Sequence, residues 1–220
     1  MKVIDAITIL LLLRAVGAAA ETTNLAEATL TRFNSISGSK VTLKGKYGLR
    51  KWQAEGTLIC GFLEVEPGFA ALRGMPGSVA ELSARGEVFV PVRNLKAVGE
   101  SREEYTEQMT GMLHRMLRAE EHPRIYFWFS RLGASVPQSG EGLAAFTATG
   151  KLAIAGVTNE ISLPMIVKRL GGGAIQISGK TIIRHSHFGI PMPTNIIIDA
   201  ADPARVDIAF DWCVKETGAR

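Results

Sequence analysis

From Val41 onward the chain is a series of short apolar runs rich in β-branched residues and divided by Gly, Pro and Asn, the punctuation of strands and turns. Eight strands are predicted, over 40–47, 51–65, 79–92, 124–132, 143–155, 159–169, 174–184 and 204–214. The last is the clearest: Val206, Ile208, Phe210, Trp212 and Val214 alternate with Asp207, Ala209, Asp211 and Cys213, a period of two with one face apolar. In the fourth, Tyr126 and Trp128 alternate with Ile125, Phe127 and Phe129, so both faces are apolar. Turns are expected at Gly156–Asn159 and Gly171–Gly173, and strands joined so tightly are antiparallel neighbours. One segment breaks the rhythm. Between Gly99 and Pro123, Tyr105, Met109, Met112, Leu113, Met116 and Leu117 recur at helical spacing, with Ser101 and Glu104 placed as a capping box and Pro123 as the stop. The fold class is therefore all-β and mainly antiparallel, with one inserted amphipathic helix. Eight such strands form either a sandwich or a closed barrel, and periodicity does not choose between them.

The first twenty residues, MKVIDAITILLLLRAVGAAA, have the pattern of an export signal: Lys2, an apolar run from Ala6 to Leu13, and Ala18–Ala20 before Glu21. The run falls short of the ~20 residues of a membrane span, so no stable membrane anchor is expected. Residues 21–38 are small and polar and read as a lead-in, leaving 39–220 as a single β domain.

Composition narrows the function classes. With 46% hydrophobic and 21% charged residues among 220, the chain has the make-up of a folded domain. A net charge of +4, spread along the chain, gives no clustered basic face of the kind nucleic acid requires. Two cysteines, Cys60 and Cys213, are too few for a zinc ribbon, and antiparallel order does not make their strands neighbours, so their pairing stays open. His185 and His187, two apart, would offer two imidazoles from one face of a strand or its end, but no carboxylate or cysteine pair completes a metal site. There is no G-x-S-x-G elbow, no P-loop and no dinucleotide fingerprint, so no enzymatic activity and no cofactor are expected.

The stretches GKLAIAGVTNEISLP (150–164) and GKTIIRHSHFGI (179–190) resemble the YceI-like polyisoprenoid-binding family, in which a G-x-L-T-I-x-G-V-T turn is followed by a strand ending in D-F-G-I. Pro91–Lys96, the helix end Met116–Ala119, His122–Phe127 and the Gly45–Trp52 turn extend the resemblance over roughly 39–215. His187 stands where the family has Asp, Ala153 and Ala155 replace Thr and His, and Tyr47–Arg50 replaces a turn containing Ser/Thr and His. The resemblance implies an eight-stranded lipocalin-like barrel, periplasmic or secreted, that holds a polyisoprenoid or similar long apolar chain. On that reading Met109, Met112, Leu113 and Met116 of the helix, with Phe127, Phe129, Phe146, Phe188, Phe210 and Trp212, are the candidate ligand-binding residues. The same side chains would also serve simply as core. At ~0.8 kcal/mol per buried CH₂, ten carbons return about 8 kcal/mol, near micromolar affinity before ordering costs, so such a site needs no polar motif. A homodimer is compatible with the sequence. The competing reading is a structural or stress-associated envelope protein whose barrel is filled by its own side chains and which binds a protein partner.

Overall fold

Twelve strand segments pair antiparallel around a complete circuit in the computed structural model, which describes residues 30–47, 50–66, 69, 81–99, 103–134, 143–191 and 205–219. β1 (Thr31–Ser35) and β2 (Lys40–Tyr47) lie end to end along β12 (Arg205–Ala219), with Ser35 opposite Val214 and Val41 opposite Phe210. β3 (Arg50–Gly56) and β4 (Cys60–Val65) run back along them, and β5 (Glu81–Leu82), β6 (Ala84–Pro91) and β7 (Lys96–Val98) form a third long, broken strand. β8 (Arg124–Ala134), β9 (Leu143–Ile154), β10 (Val157–Gly171) and β11 (Ala174–Arg184) follow in simple order back to β12. Counted as continuous paths these are eight strands in a closed barrel, and closure removes the sheet edges except along β7, which pairs only with β3.

The wall begins at Thr31, inside the segment read from sequence as a lead-in. Five residues with one buried side chain, Phe33, carry little pattern of their own; what fixes them is pairing on both sides, with β12 and β4. Three paths are interrupted at neighbouring points; that at 57–59 falls inside the strand predicted over 51–65, whereas those at 36–39 and 92–95 lie at the predicted strand limits of 40 and 92, beyond which the wall continues. At residues 36–39 the Ile36 amide donates to the Cys213 carbonyl and the Ser39 hydroxyl accepts from the Cys213 amide (3.0 Å). At 57–59 the amides of Thr57 and Leu58 both donate to Oδ1 of Asn94, at 2.7 and 2.9 Å. Asn94 itself ends the 3-10 turn Val92–Asn94 that divides β6 from β7.

These breaks separate β7 from β8, and the helix α1 (Glu103–Met116) is joined to β7 by two bonds. The Ala97 amide donates to Thr110 Oγ1 (2.9 Å), and His114 Nε2 donates to the Leu95 carbonyl (2.8 Å). The helix ends earlier than Pro123 requires: Arg118 adopts a left-handed conformation (φ 52°), and the Ala119 amide closes on the His114 carbonyl. Ser101 and the Glu104 side chain, the expected capping box, lie outside the described residues, as do the leader 1–20 and residues 21–29 of the lead-in.

The cysteines are free. Cys60 lies two residues beyond the Phe62–Asn34 pair, where the same register sets it opposite Ile36, whose amide bonds to Cys213; the path of β1 therefore stands between the two thiols. Two strand spacings of roughly 4.8 Å exceed the reach of a disulfide. Cys213, placed by alternation on a polar face, is buried because the 36–39 break folds over it, with Gly38 against its Sγ. Burial, then the nearby Asp211, raises its thiol pKa.

Candidate functional site: an apolar cavity at one end of the barrel

Side chains divide the barrel interior along its length. At the end where β1 and β4 meet β12, Phe33, Phe69 and Phe146 pack ring against ring, with centroids 6.1 and 4.8 Å apart, over Leu63, Val65 and Leu132. A second, more polar pocket opens at that end, bordered by Phe33, Phe69, Ile175 and Glu216. Above this layer, Phe129 lies nearly parallel to Trp212 with centroids 6.3 Å apart, and Phe127 meets Phe129 edge-on at 4.9 Å. These rings border a cavity of about 210 Å³.

Its walls come from the alternating strands: Val206, Ile208, Phe210 and Trp212 of β12, Val41 and Leu43 of β2, Trp52 and Ala54 of β3, and Leu163 and Met165 of β10. The gap between β7 and β8 is covered by Met109, Met112, Leu113 and Met116, the apolar stripe of α1. Eight of the ten residues singled out from sequence thus border one space: the four helix residues with Phe127, Phe129, Phe210 and Trp212. Phe146 and Phe188 are buried elsewhere. Phe146 belongs to the aromatic plug, and Phe188 is in the 3-10 turn His185–Phe188. Phe146 is an apolar strand residue, and alternation distinguishes the inside of a barrel from the outside but not one depth from another; Phe188 lies beyond the end of β11, where strand alternation no longer applies.

The wall residues missed from sequence, such as Leu95, Ile125, Ile154, Ile161 and Ile183, are ordinary aliphatics that only the closed topology brings together. Tyr126 was singled out only as an aromatic of the strand. It borders the cavity, is stacked on Trp128 (5.0 Å, 7° between planes), and accepts a hydrogen bond from Arg124 at 3.1 Å. That bond is the main reason the Arg124 guanidinium pKa is raised.

A few polar groups reach the cavity, among them Lys46, Gln53, Thr181, His185 and Arg205. They cluster at the ends of β2, β12 and β11, which marks the mouth. His185 is held by a 2.8 Å bond from Nδ1 to the Ile190 carbonyl, so Nδ1 carries the proton; Nε2 is buried and lacks a hydrogen-bond partner. His185 and His187 lie in the 3-10 turn at the end of β11, and the exposed His187 offers its carbonyl to Asn159 Nδ2 (2.9 Å). Among the described residues no three His, Cys, Asp or Glu side chains converge as a metal site would require. Nor is any described helix long and apolar enough to cross a membrane.

Residues 62–212 match the family model of the YceI-like domain. Among solved structures, BcnA of Burkholderia cenocepacia is 19% identical with a TM-score of 0.54, over 80% of this chain and 95% of that one. A polyisoprenoid-binding domain of Saccharophagus degradans, described as implicated in plant cell wall breakdown, is 9% identical with a TM-score of 0.55, over 85% of this chain and 99% of that one. At such identities the likeness establishes the fold alone. No curated protein matches the chain.

Proposed function

The chain belongs to the family of YceI-like domains, and on that premise we propose that it is a non-enzymatic envelope protein that sequesters or carries a polyisoprenoid or similar apolar chain inside its barrel. One observation carries the reading: the interior beyond the Trp212 layer encloses a cavity of about 210 Å³ lined almost wholly by hydrocarbon. A barrel evolved only to be filled by its own side chains has no use for that space, and the Phe33–Phe69–Phe146 plug illustrates what filling looks like. The leader, with its Ala18–Ala20 site before Glu21, supports export to the periplasm or beyond.

The volume bears on the ligand. An engineered cavity of about 150 Å³ accepts benzene, so about 210 Å³ holds a segment of only eight to ten heavy atoms without rearrangement. A longer chain must displace the three methionines or protrude from the mouth. Methionine suits that task, having three rotatable bonds and a polarizable sulfur.

The test is solvent extraction of protein purified without detergent, with mass spectrometry of the extract, followed by rebinding to the delipidated protein. An apolar chain should be recovered and should raise the melting temperature on rebinding, by the equivalent of ~2.7 kcal/mol at a hundredfold excess over Kd. No extractable lipid, together with no shift from any chain length, would overturn the proposal.

A further inference from the structure

Among the described residues a single buried side-chain nitrogen or oxygen has no hydrogen-bond partner, Nε2 of His185. The buried polar side chains elsewhere are engaged: the Ser39 hydroxyl accepts from the Cys213 amide, and each Glu64 oxygen receives an arginine. His185 continues the inward-facing series of β11 after Thr181 and Ile183, and all three border the cavity. Two bonds clasp it to Ile190 across the 3-10 turn. Its Nδ1–H donates to the Ile190 carbonyl at 2.8 Å, and the Ile190 amide donates to the His185 carbonyl at 3.1 Å. Gly189, at φ 64°, closes the turn, and Phe188 anchors it at 2% exposure. The ring is therefore held through Nδ1 and is not free to turn Nε2 toward another partner. With the proton on Nδ1, Nε2 offers a lone pair and nothing else. An acceptor kept dry and unpaired destabilises the empty protein, and a donor brought to it recovers that loss.

We propose that Nε2 of His185 accepts the O–H of the bound chain's head, so that the barrel selects an apolar chain ending in an alcohol or phenol. An isoprenoid alcohol carries the donor that Nε2 lacks. The corresponding ether has none, and a phosphate monoester, largely ionised at neutral pH, sets acceptor oxygens against an acceptor. Nε2 is sealed while the cavity is empty, and a chain too long for about 210 Å³ has to part the wall side chains to enter. Its head, following the tail to the mouth, is then the group that meets the ring. This assignment of the head rests on the carrier function proposed above.

The experiment is calorimetric titration of the delipidated protein with farnesol, farnesyl methyl ether and farnesyl phosphate, which share one chain and differ in the head. The alcohol should bind about tenfold more tightly than the ether, the effect of a buried hydrogen bond whose loss strands its partner. His185→Asn keeps an amide donor at the position of Nδ1 and removes the acceptor, so it should bind alcohol and ether alike. His185→Gln carries its amide out to the position of Nε2 and should restore the preference. The ratio of alcohol to ether affinity is the reading, because a loosened turn would weaken both ligands together and leave their ratio unchanged. Equal binding of alcohol and ether by the parent, a ratio that survives in His185→Asn, or tighter binding of the phosphate than of the alcohol would each overturn the assignment of the head and leave the carrier function standing. If none of the three binds, the assignment falls as well, and the extraction experiment decides separately on the carrier.

Discussion

Glu64 illustrates how one buried charge is made tolerable. Its carboxylate, on β4, receives Arg85 Nε at 2.5 Å and Arg32 Nη1 at 2.6 Å, one on each oxygen. Arg85 chiefly, against the opposing effect of burial and with help from Arg32, holds its pKa below the ordinary glutamate value. A depressed carboxylate contributes stability that is fully present above the unfolded-state pKa of ~4.3 and is lost as pH falls through the folded one. The Glu64→Gln variant should therefore lose about 1–2 kcal/mol at pH 7. Its melting temperature should also fall less steeply than that of the parent below about pH 4.5. Melting curves from pH 7 to 3 check this, and parallel acid limbs in the two proteins would contradict it. None of it was legible in the sequence, because Arg32 lies in a segment without pattern and meets Glu64 only when β1 pairs with β4.

At the scale of elements, periodicity found what is local and missed what is made by closure. The alternation of β12, the tight turn before β10 and the Met-bearing helix follow from spacing alone. The turn is Ala155–Gly156, with φ of 50° and 86°, the geometry of a two-residue hairpin, and is tighter than the expected Gly156–Asn159 because Val157–Asn159 already pair with Leu152–Ile154. The break at 57–59 left no trace of that kind, and those at 36–39 and 92–95 read as strand limits, not as gaps in a continuing path. They coincide only because three strands are adjacent, and a polar residue such as Asn94 reads in sequence as a turn former and nothing more. In the fold, its Oδ1 is the acceptor for two amides of the neighbouring strand. Asn94→Ala should cost about 1–3 kcal/mol by leaving those amides to water, and amide exchange at Thr57 and Leu58 should quicken well before global unfolding. Unchanged exchange there would mean that the break is held by something else. The helix stripe makes a different prediction. Met116→Glu places a carboxylate against the cavity wall, so chain binding should weaken more than tenfold, an effect separable from any stability loss by melting the ligand-free variant alongside. Equal destabilisation of ligand-free and ligand-bound protein would assign Met116 to the core alone.

For the whole molecule, the barrel joins two kinds of interior in one closed wall, and substitutions on either side of the Trp212 layer should report on different quantities. Phe146 is 2% exposed and packed on Phe69, so Phe146→Ala opens a void in a filled region and should cost about 3–5 kcal/mol. That loss should be the same with and without ligand, leaving affinity unchanged. Phe210 borders empty space and is only partly buried, so Phe210→Ala removes fewer contacts and should cost the ligand-free protein less. It also enlarges the cavity. The optimum chain length should then move upward, because each additional buried methylene adds ~0.8 kcal/mol where room exists for it. Melting shifts across a homologous series of chains, measured for both variants and the parent, give affinity and stability from the same curves. Should Phe146→Ala change the preferred chain length, or should Phe210→Ala leave it where it was, the division of the barrel into a filled half and a receiving half would be wrong.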